Sequence, residues 1–137
     1  MKLIIVVIIS FVSILFASCE VKLVEAQKLS IKVDETLVII NSDNSENVVI
    51  RSKIRTPINL TELEKLKIFS LAEKALKRKS YAIQTKTDFA GQNFKIELVK
   101  IKDTFKIENS SVSRWTNIHP EFEEIKNVLS NNNVVIK

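Results

Sequence analysis

Glycine, cysteine and histidine each occur once in this chain of 137 residues, and proline occurs twice. A single cysteine excludes an intramolecular disulfide. One histidine and one cysteine leave too few ligands for an ordinary zinc site, and loops that cradle phosphate need several glycines. We therefore expect no cofactor and no metal, and we expect Asn, Asp and Ser to form most of the turns.

Strong charge of one sign is also missing. The chain has 21 basic and 16 acidic residues and a net charge of +5, without a long run of lysine or arginine. This mild excess is compatible with an anionic membrane surface or an acidic partner. It does not favour nucleic acid, so we expect no nucleic-acid partner. The length is that of one domain with its own hydrophobic core.

A hydrophobic segment follows the short positive start at Lys2. Residues 3–17 carry no charge, and their length fits the core of a signal peptide rather than the roughly 20 residues that span a bilayer. Two small residues, Ala17 and Ser18, then precede Cys19, and Phe16 is the apolar residue before them. An apolar residue and two small ones before a cysteine resemble the bacterial lipoprotein signal family.

The resemblance implies that residues 1–18 are a signal peptide cut between Ser18 and Cys19, and that the Cys19 thiol carries lipid. Membrane lipid would then be one partner, and residues 19–28 would tether the protein to the periplasmic or cell-surface side of the bacterial envelope. Acyl chains such as palmitate, two or three on one cysteine, bury enough methylenes for stable anchoring. Two alternatives remain open, an ordinary secretory leader cut after Ala17 and an uncleaved anchor.

Alternation of apolar and polar residues predicts strands through much of residues 29–137, which we expect to form one domain. The phase of the alternation slips at Leu98 and Val99, which indicates a bulge or a strand buried on both faces. The predicted strands are residues 29–33, 36–40, 48–55, 81–87, 94–101 and 104–108.

A first helix is predicted between the third and fourth of these strands. It begins at one of two overlapping capping boxes, either Asn59 with Glu62 or Thr61 with Glu64. Its periodic apolar face continues to a basic end at residues 77–79, which complements the negative end of the helix dipole.

A second helix is predicted to begin at Pro120 and to end before residues 131–133. Residues 109–118 are predicted to be a loop, and residues 134–137 either a short strand or a frayed tail. The order βββαβββα predicts an α+β domain with two helices on one face of a small antiparallel sheet of about six strands. Duplication of a βββα unit is an open possibility.

The residues with chemical potential have no catalytic arrangement that we recognise. His119 directly precedes Pro120 and suits the start of a helix better than a catalytic role. Arg114 and Trp115 are neighbours in a polar loop and form a candidate partner-binding pair, because these residue types dominate many interfaces. The alternative, which we favour for Trp115, is a place in the core.

The sequence thus indicates a membrane-tethered envelope lipoprotein acting as a non-enzymatic binding, adaptor or inhibitor module for an unidentified envelope protein. Such a partner could also add a strand to an exposed sheet edge. One alternative is an envelope hydrolase that uses carboxylates from the set Asp88, Asp103, Glu121 and Glu124. Another is a membrane-surface binding domain that uses Lys74, Lys77, Arg78 and Lys79.

Overall fold

The computed structural model describes residues 26–78 and 91–137, and it confirms the α+β class. Within these residues, four strands precede the first helix, and two strands, a short 3-10 helix (Trp115–Asn117) and a second helix follow it. The strands are β1 (Lys28–Val33), β2 (Thr36–Asn41), β3 (Val48–Arg51), β4 (Ile54–Pro57), β5 (Gln92–Val99) and β6 (Thr104–Val112). The helices are α1 (Glu62–Leu76) and α2 (Pro120–Asn131).

The six strands form one antiparallel sheet in the order β4-β3-β2-β1-β5-β6. The first four strands are a meander, and β5 pairs with the free side of β1, so that β1 lies near the middle. Among the described strands, β4 and β6 are the edges. The strand predicted at residues 81–87 lies outside the described part of the chain.

Alternation in the strands directs apolar side chains to the face that the helices cover. Leu29, Ile31 and Val33 of β1 are buried, and their cross-strand partners on β2 and β5 continue the same layer. Both helices add their apolar stripes to this single core. The opposite face of the sheet, here called the outer face, carries the residues between these buried positions.

The two helices pack side by side and are joined by a polar contact at each end. At the start of α1, the Glu64 carboxylate accepts a hydrogen bond from the Asn132 amide, which follows α2, at 3.1 Å. At the other end, the Arg78 guanidinium binds the Glu121 carboxylate in the first turn of α2. Because each contact joins the start of one helix to the end of the other, the helices are antiparallel.

The capping box at Thr61 and Glu64 is the one that forms, so the box expected at Asn59 and Glu62 is wrong and its alternative is confirmed. The Thr61 backbone N–H donates to the Glu64 carboxylate at 2.8 Å, and the Glu64 N–H donates to the Thr61 hydroxyl at 3.2 Å. The first of these bonds and that from Asn132 lower the pKa of Glu64, since both stabilise its charged form.

Three predictions about the strands also differ from the structure. Residues 48–55 form two strands rather than one, because Ser52 and Lys53 both adopt positive φ and make a tight hairpin turn. The register shift in β5 lies between Gln92 and Phe94, not at Leu98 and Val99. The predicted loop at 109–118 begins only after β6, which runs on to Val112.

The C-terminal residues 134–137 are neither a strand nor a frayed tail. Val134 and Ile136 are buried in the core. The Val135 carbonyl accepts a hydrogen bond from the Arg51 guanidinium, and the Lys137 carbonyl accepts one from the Gln92 amide. No helix within residues 26–78 or 91–137 is long and apolar enough to cross a membrane.

Candidate functional site

The outer face of the sheet changes character from one side to the other. On β2 and β3 it is apolar, with Leu37 opposite Ile50 and Ile39 opposite Val48. On β1, β5 and β6 it is charged, because the residues that alternate with the buried ones there are mostly lysine and glutamate. The charged half is the part of the sheet with groups suited to polar recognition.

One row of this charged half places two lysines beside each other. Lys32 of β1 pairs directly with Lys95 of β5, and Lys95 pairs in turn with Glu108 of β6. Like charges directly opposite each other across two strands destabilise a sheet. Glu97 relieves Lys95 only weakly, with its carboxylate 3.9 Å from the ammonium. The Lys32–Lys95 pair is therefore a place where an external anionic group would be stabilising.

The lysine pair lines an open cleft of about 660 Å³ at one end of the sheet. The turn between β1 and β2 forms one wall, and its Asp34 is fixed to the start of β5 by two hydrogen bonds. The Asn93 N–H donates to the Asp34 carboxylate at 2.9 Å, and the Asp34 N–H donates to the Asn93 carbonyl at 2.8 Å. Glu35 and Glu108 supply negative charge at the rim. An open cleft of mixed charge suits an extended polar segment better than an enclosed apolar ligand.

Trp115 lies in the core, as we favoured from the sequence. Its side chain is only 1% exposed, and its indole lies 5.9 Å from the Phe122 ring between centroids. Its backbone N–H donates to the Gln92 side-chain oxygen at 3.1 Å. Arg114 beside it is exposed, so of this pair only Arg114 is accessible, and a partner-binding role for it stays a prediction.

His119 and Glu121 belong to a buried cluster at the start of α2. The Glu121 side chain is 4% exposed, and Lys74 lies 3.8 Å from its carboxylate in addition to Arg78. His119 is buried at the N-cap of α2 and meets the Phe122 ring edge-on at 5.5 Å. Burial, assisted by the positive charge of Arg78, lowers the pKa of His119, whereas Glu121 opposes this shift.

This cluster joins the two helices, and together with an ion pair along α1 it occupies most of the basic residues considered at the end of α1. Arg78 and Lys74 bind Glu121, and Lys77 binds Glu73 at 2.8 Å. The remaining candidate of that set, Lys79, lies outside the described residues. These contacts agree with a structural role for the basic end of the helix.

The carboxylates considered for hydrolysis lie on separate elements. Glu121 is engaged by two cations, Glu124 is exposed on α2, and Asp103 lies in the turn between β5 and β6. Asp88 lies outside the described residues, as do Ser18 and Cys19. Within the part of the chain that the structure describes, no three His, Cys, Asp or Glu side chains come together as a metal site.

Sequence reasoning missed the cleft because its two lysines come from strands that are distant in the chain. Each lysine alternates with buried residues, which identifies it as an outward residue of a strand. Their adjacency depends on β5 pairing with β1, and nothing in the local pattern specifies that pairing.

The comparisons with known proteins found no relative. No protein-family model matches the chain, and no curated protein and no solved structure is significantly similar to it.

Proposed function

We propose that this protein is a bacterial envelope lipoprotein that acts as a non-enzymatic binding module, tethered through lipid on Cys19. The observation that carries the binding role is the pair of adjacent lysines, Lys32 and Lys95, in the open cleft. A like-charge pair costs stability in the isolated domain, and an acidic group of a partner offsets that cost. The partner we propose is an extended segment of mixed charge from another envelope protein, with an acidic group that meets the two lysines and basic or polar groups that meet Asp34, Glu35 and Glu108.

The position of the cleft supports this proposal. The tether would join the domain at the Lys28 end of β1, and the cleft lies beyond Val33 at the opposite end of the same strand. Since β1 is extended, these ends are about 17 Å apart. A domain tethered in this way presents its cleft away from the attachment point, where a second protein has access to it.

The anchor is tested by the intact mass of the protein made in a bacterium, compared with the variant Cys19→Ser. We expect the wild-type mass to match a chain that begins at Cys19 and carries lipid, and the variant to remain unprocessed. An unlipidated mass beginning elsewhere would indicate a secreted domain, and a full-length mass an uncleaved anchor. Either result would contradict the lipoprotein proposal.

The cleft is tested by photo-crosslinking in intact cells. A photoreactive residue in place of Glu35, which lines the cleft beside the two lysines, should capture a reproducible envelope protein, whereas one in place of Lys126 on α2 should not. Reversal of both lysine charges by Lys32→Glu with Lys95→Glu should abolish the capture from position 35. Equal capture from positions 126 and 35, or no capture above a lipidated control domain, would contradict the proposal.

A stability measurement separates a binding role from a structural one. Lys32→Ser removes the like-charge contact with Lys95, so the melting temperature should stay the same or rise slightly while capture falls. A clear fall in melting temperature would mean that Lys32 stabilises the sheet, and the lysine pair would then not indicate a binding site.

A further inference from the structure

Three large apolar side chains are exposed near the point where the tether would join the domain. Ile101, in the turn after β5, is 73% exposed, and Leu63 and Leu66 on α1 are 79% and 55% exposed. Lys28 lines a hollow with Ile101, and Lys102 follows Ile101 in the same turn. We call these five residues the tether-end surface.

Gln27 lies between the β5–β6 turn and helix α1, which both contribute to the tether-end surface. Gln27 and Lys28 line one hollow with Ile101, and Gln27 lines a second hollow with Leu66. The chain is fixed at this point, because the Gln27 N–H donates to the Ser42 hydroxyl at 2.7 Å and the Ser42 N–H donates to the Gln27 carbonyl at 2.9 Å. The position at which the tether would join the domain is therefore fixed by the fold at Gln27.

Helix α1 lies across this end of the sheet and extends the surface. At its start, the Lys65 ammonium donates to the Asp43 carbonyl in the β2–β3 loop at 3.0 Å. Further along, Glu73 binds Lys100 in the β5–β6 turn. The exposed leucines of α1 thus lie on the same end of the domain as Ile101.

We propose that the tether-end surface rests on the phospholipid bilayer that holds the anchor, with Ile101, Leu63 and Leu66 inserted below the headgroups. This inference rests on the proposed lipidation of Cys19. Seven residues lie between Cys19 and Gln27, so the two Cα atoms are at most about 28 Å apart. The surface is thus held near the bilayer at high effective concentration, where burial of each exposed side chain favours contact roughly tenfold.

The lysines have a secondary part in this contact. Lys28 and Lys102 are placed to meet lipid phosphates, but Asp43 and Asp103 lie at the same end and offset much of their charge. The bilayer contact is therefore chiefly apolar, and we expect only a modest increase when anionic lipid is added.

The test uses a fluorescent label at two matched isoleucines. Ile54, 69% exposed, lies at the opposite end of the sheet, where its neighbour Arg51 pairs with Thr36 beside the β1–β2 turn. Because lipidated Cys19 does not react with thiol reagents, the variants Ile101→Cys and Ile54→Cys each accept one environment-sensitive label. The mature protein is reconstituted in vesicles of phosphatidylcholine with about 30 mol % phosphatidylglycerol, which gives the vesicles the negative surface of an anionic membrane.

Quenching by lipids that carry a shallow spin label then reports contact. We expect at least a threefold greater quenching for the label at residue 101 than for the label at residue 54. Leu63→Ser with Leu66→Ser should reduce quenching at residue 101, whereas the matched exposed change Val135→Ser should not. Equal quenching at the two label sites would overturn the inference.

Flotation of the same samples distinguishes this inference from the anchor. Protein that floats with the vesicles while residue 101 stays unquenched would overturn the bilayer contact and leave the lipid anchor in place. Protein that carries no lipid by mass and fails to float would contradict the anchor and the bilayer contact together.

Discussion

Removal of one partner from the Arg78–Glu121 pair should cost more stability when the arginine is lost than when the glutamate is lost. The Glu121 side chain is 4% exposed, but that of Arg78 is 39% exposed. In Arg78→Met the carboxylate stays buried with only Lys74 nearby, at 3.8 Å. Loss of one partner of a buried ion pair costs about 3 to 5 kcal/mol, and Lys74 keeps this case near the lower value.

Glu121→Gln should cost less, about 1 to 2 kcal/mol, because the amide still accepts a hydrogen bond and the half-exposed Arg78 can turn to water. The double variant should then be nearly as stable as Glu121→Gln alone, so the coupling free energy should be about 3 kcal/mol, equal to the cost of Arg78→Met. Exposed Glu123 in the same turn is the control, and Glu123→Gln should change stability by less than about 0.5 kcal/mol.

Urea unfolding followed by the fluorescence of Trp115 measures all four variants, since this single tryptophan is buried beside the same cluster. Equal costs for the two single variants would refute the reasoning, because they would mean that solvent exposure does not govern the cost. Strict additivity in the double variant would refute it as well, because the two groups would then not interact.

Three further predictions concern stability. The pKa of His119 is lower in the folded protein than in the unfolded chain, so the free energy of unfolding should fall as the pH drops below about 6.5. The fall should be at most about 1.4 kcal/mol per pH unit. In urea titrations at several pH values, His119→Gln should abolish this slope. Lys53→Gly should raise stability by about 0.5 to 1 kcal/mol, because Lys53 has a φ of 67°, and an unchanged or lower unfolding midpoint would contradict that. Thr61→Ala should cost about 1 kcal/mol, against no change for Asn59→Ala, and the reverse order would reject the capping assignment.

Much of the fold follows from local patterns. The buried side chains of β1 alternate, and those of α2 recur at helical spacing, since burial on one side of an element imposes its period on the sequence. Pro120 and the following glutamates suit the first turn of a helix for reasons that need no tertiary contact. These features could be predicted because each depends on neighbours in the chain.

Other features depend on contacts between distant segments. Two capping boxes fit the start of α1 equally well in sequence, and the Glu64 carboxylate that forms the real one also binds Asn132 after α2. The turn at Ser52 and Lys53 has no glycine or asparagine, so local composition hides it. The adjacency of Lys32 and Lys95, on which the candidate site depends, arises only when β5 pairs with β1.

The two proposed surfaces lie at opposite ends of β1, and a change in tether length should therefore separate them. Sixteen Gly and Ser residues inserted after Glu25 would lengthen the connection from Cys19 to Gln27 about threefold, since its Cα-to-Cα steps rise from eight to roughly 24. Effective concentration falls with roughly the −3/2 power of linker length, so contact of Ile101 with the bilayer should decrease roughly fivefold.

Capture of a partner from position 35 should stay the same, because the cleft faces away from the attachment point and does not use the bilayer. Quenching of the label at residue 101 and crosslinking from residue 35 measure the two effects in the same lengthened protein. Loss of crosslinking together with quenching would show that the cleft works only when the domain is held at the membrane, and the two ends could not then be independent.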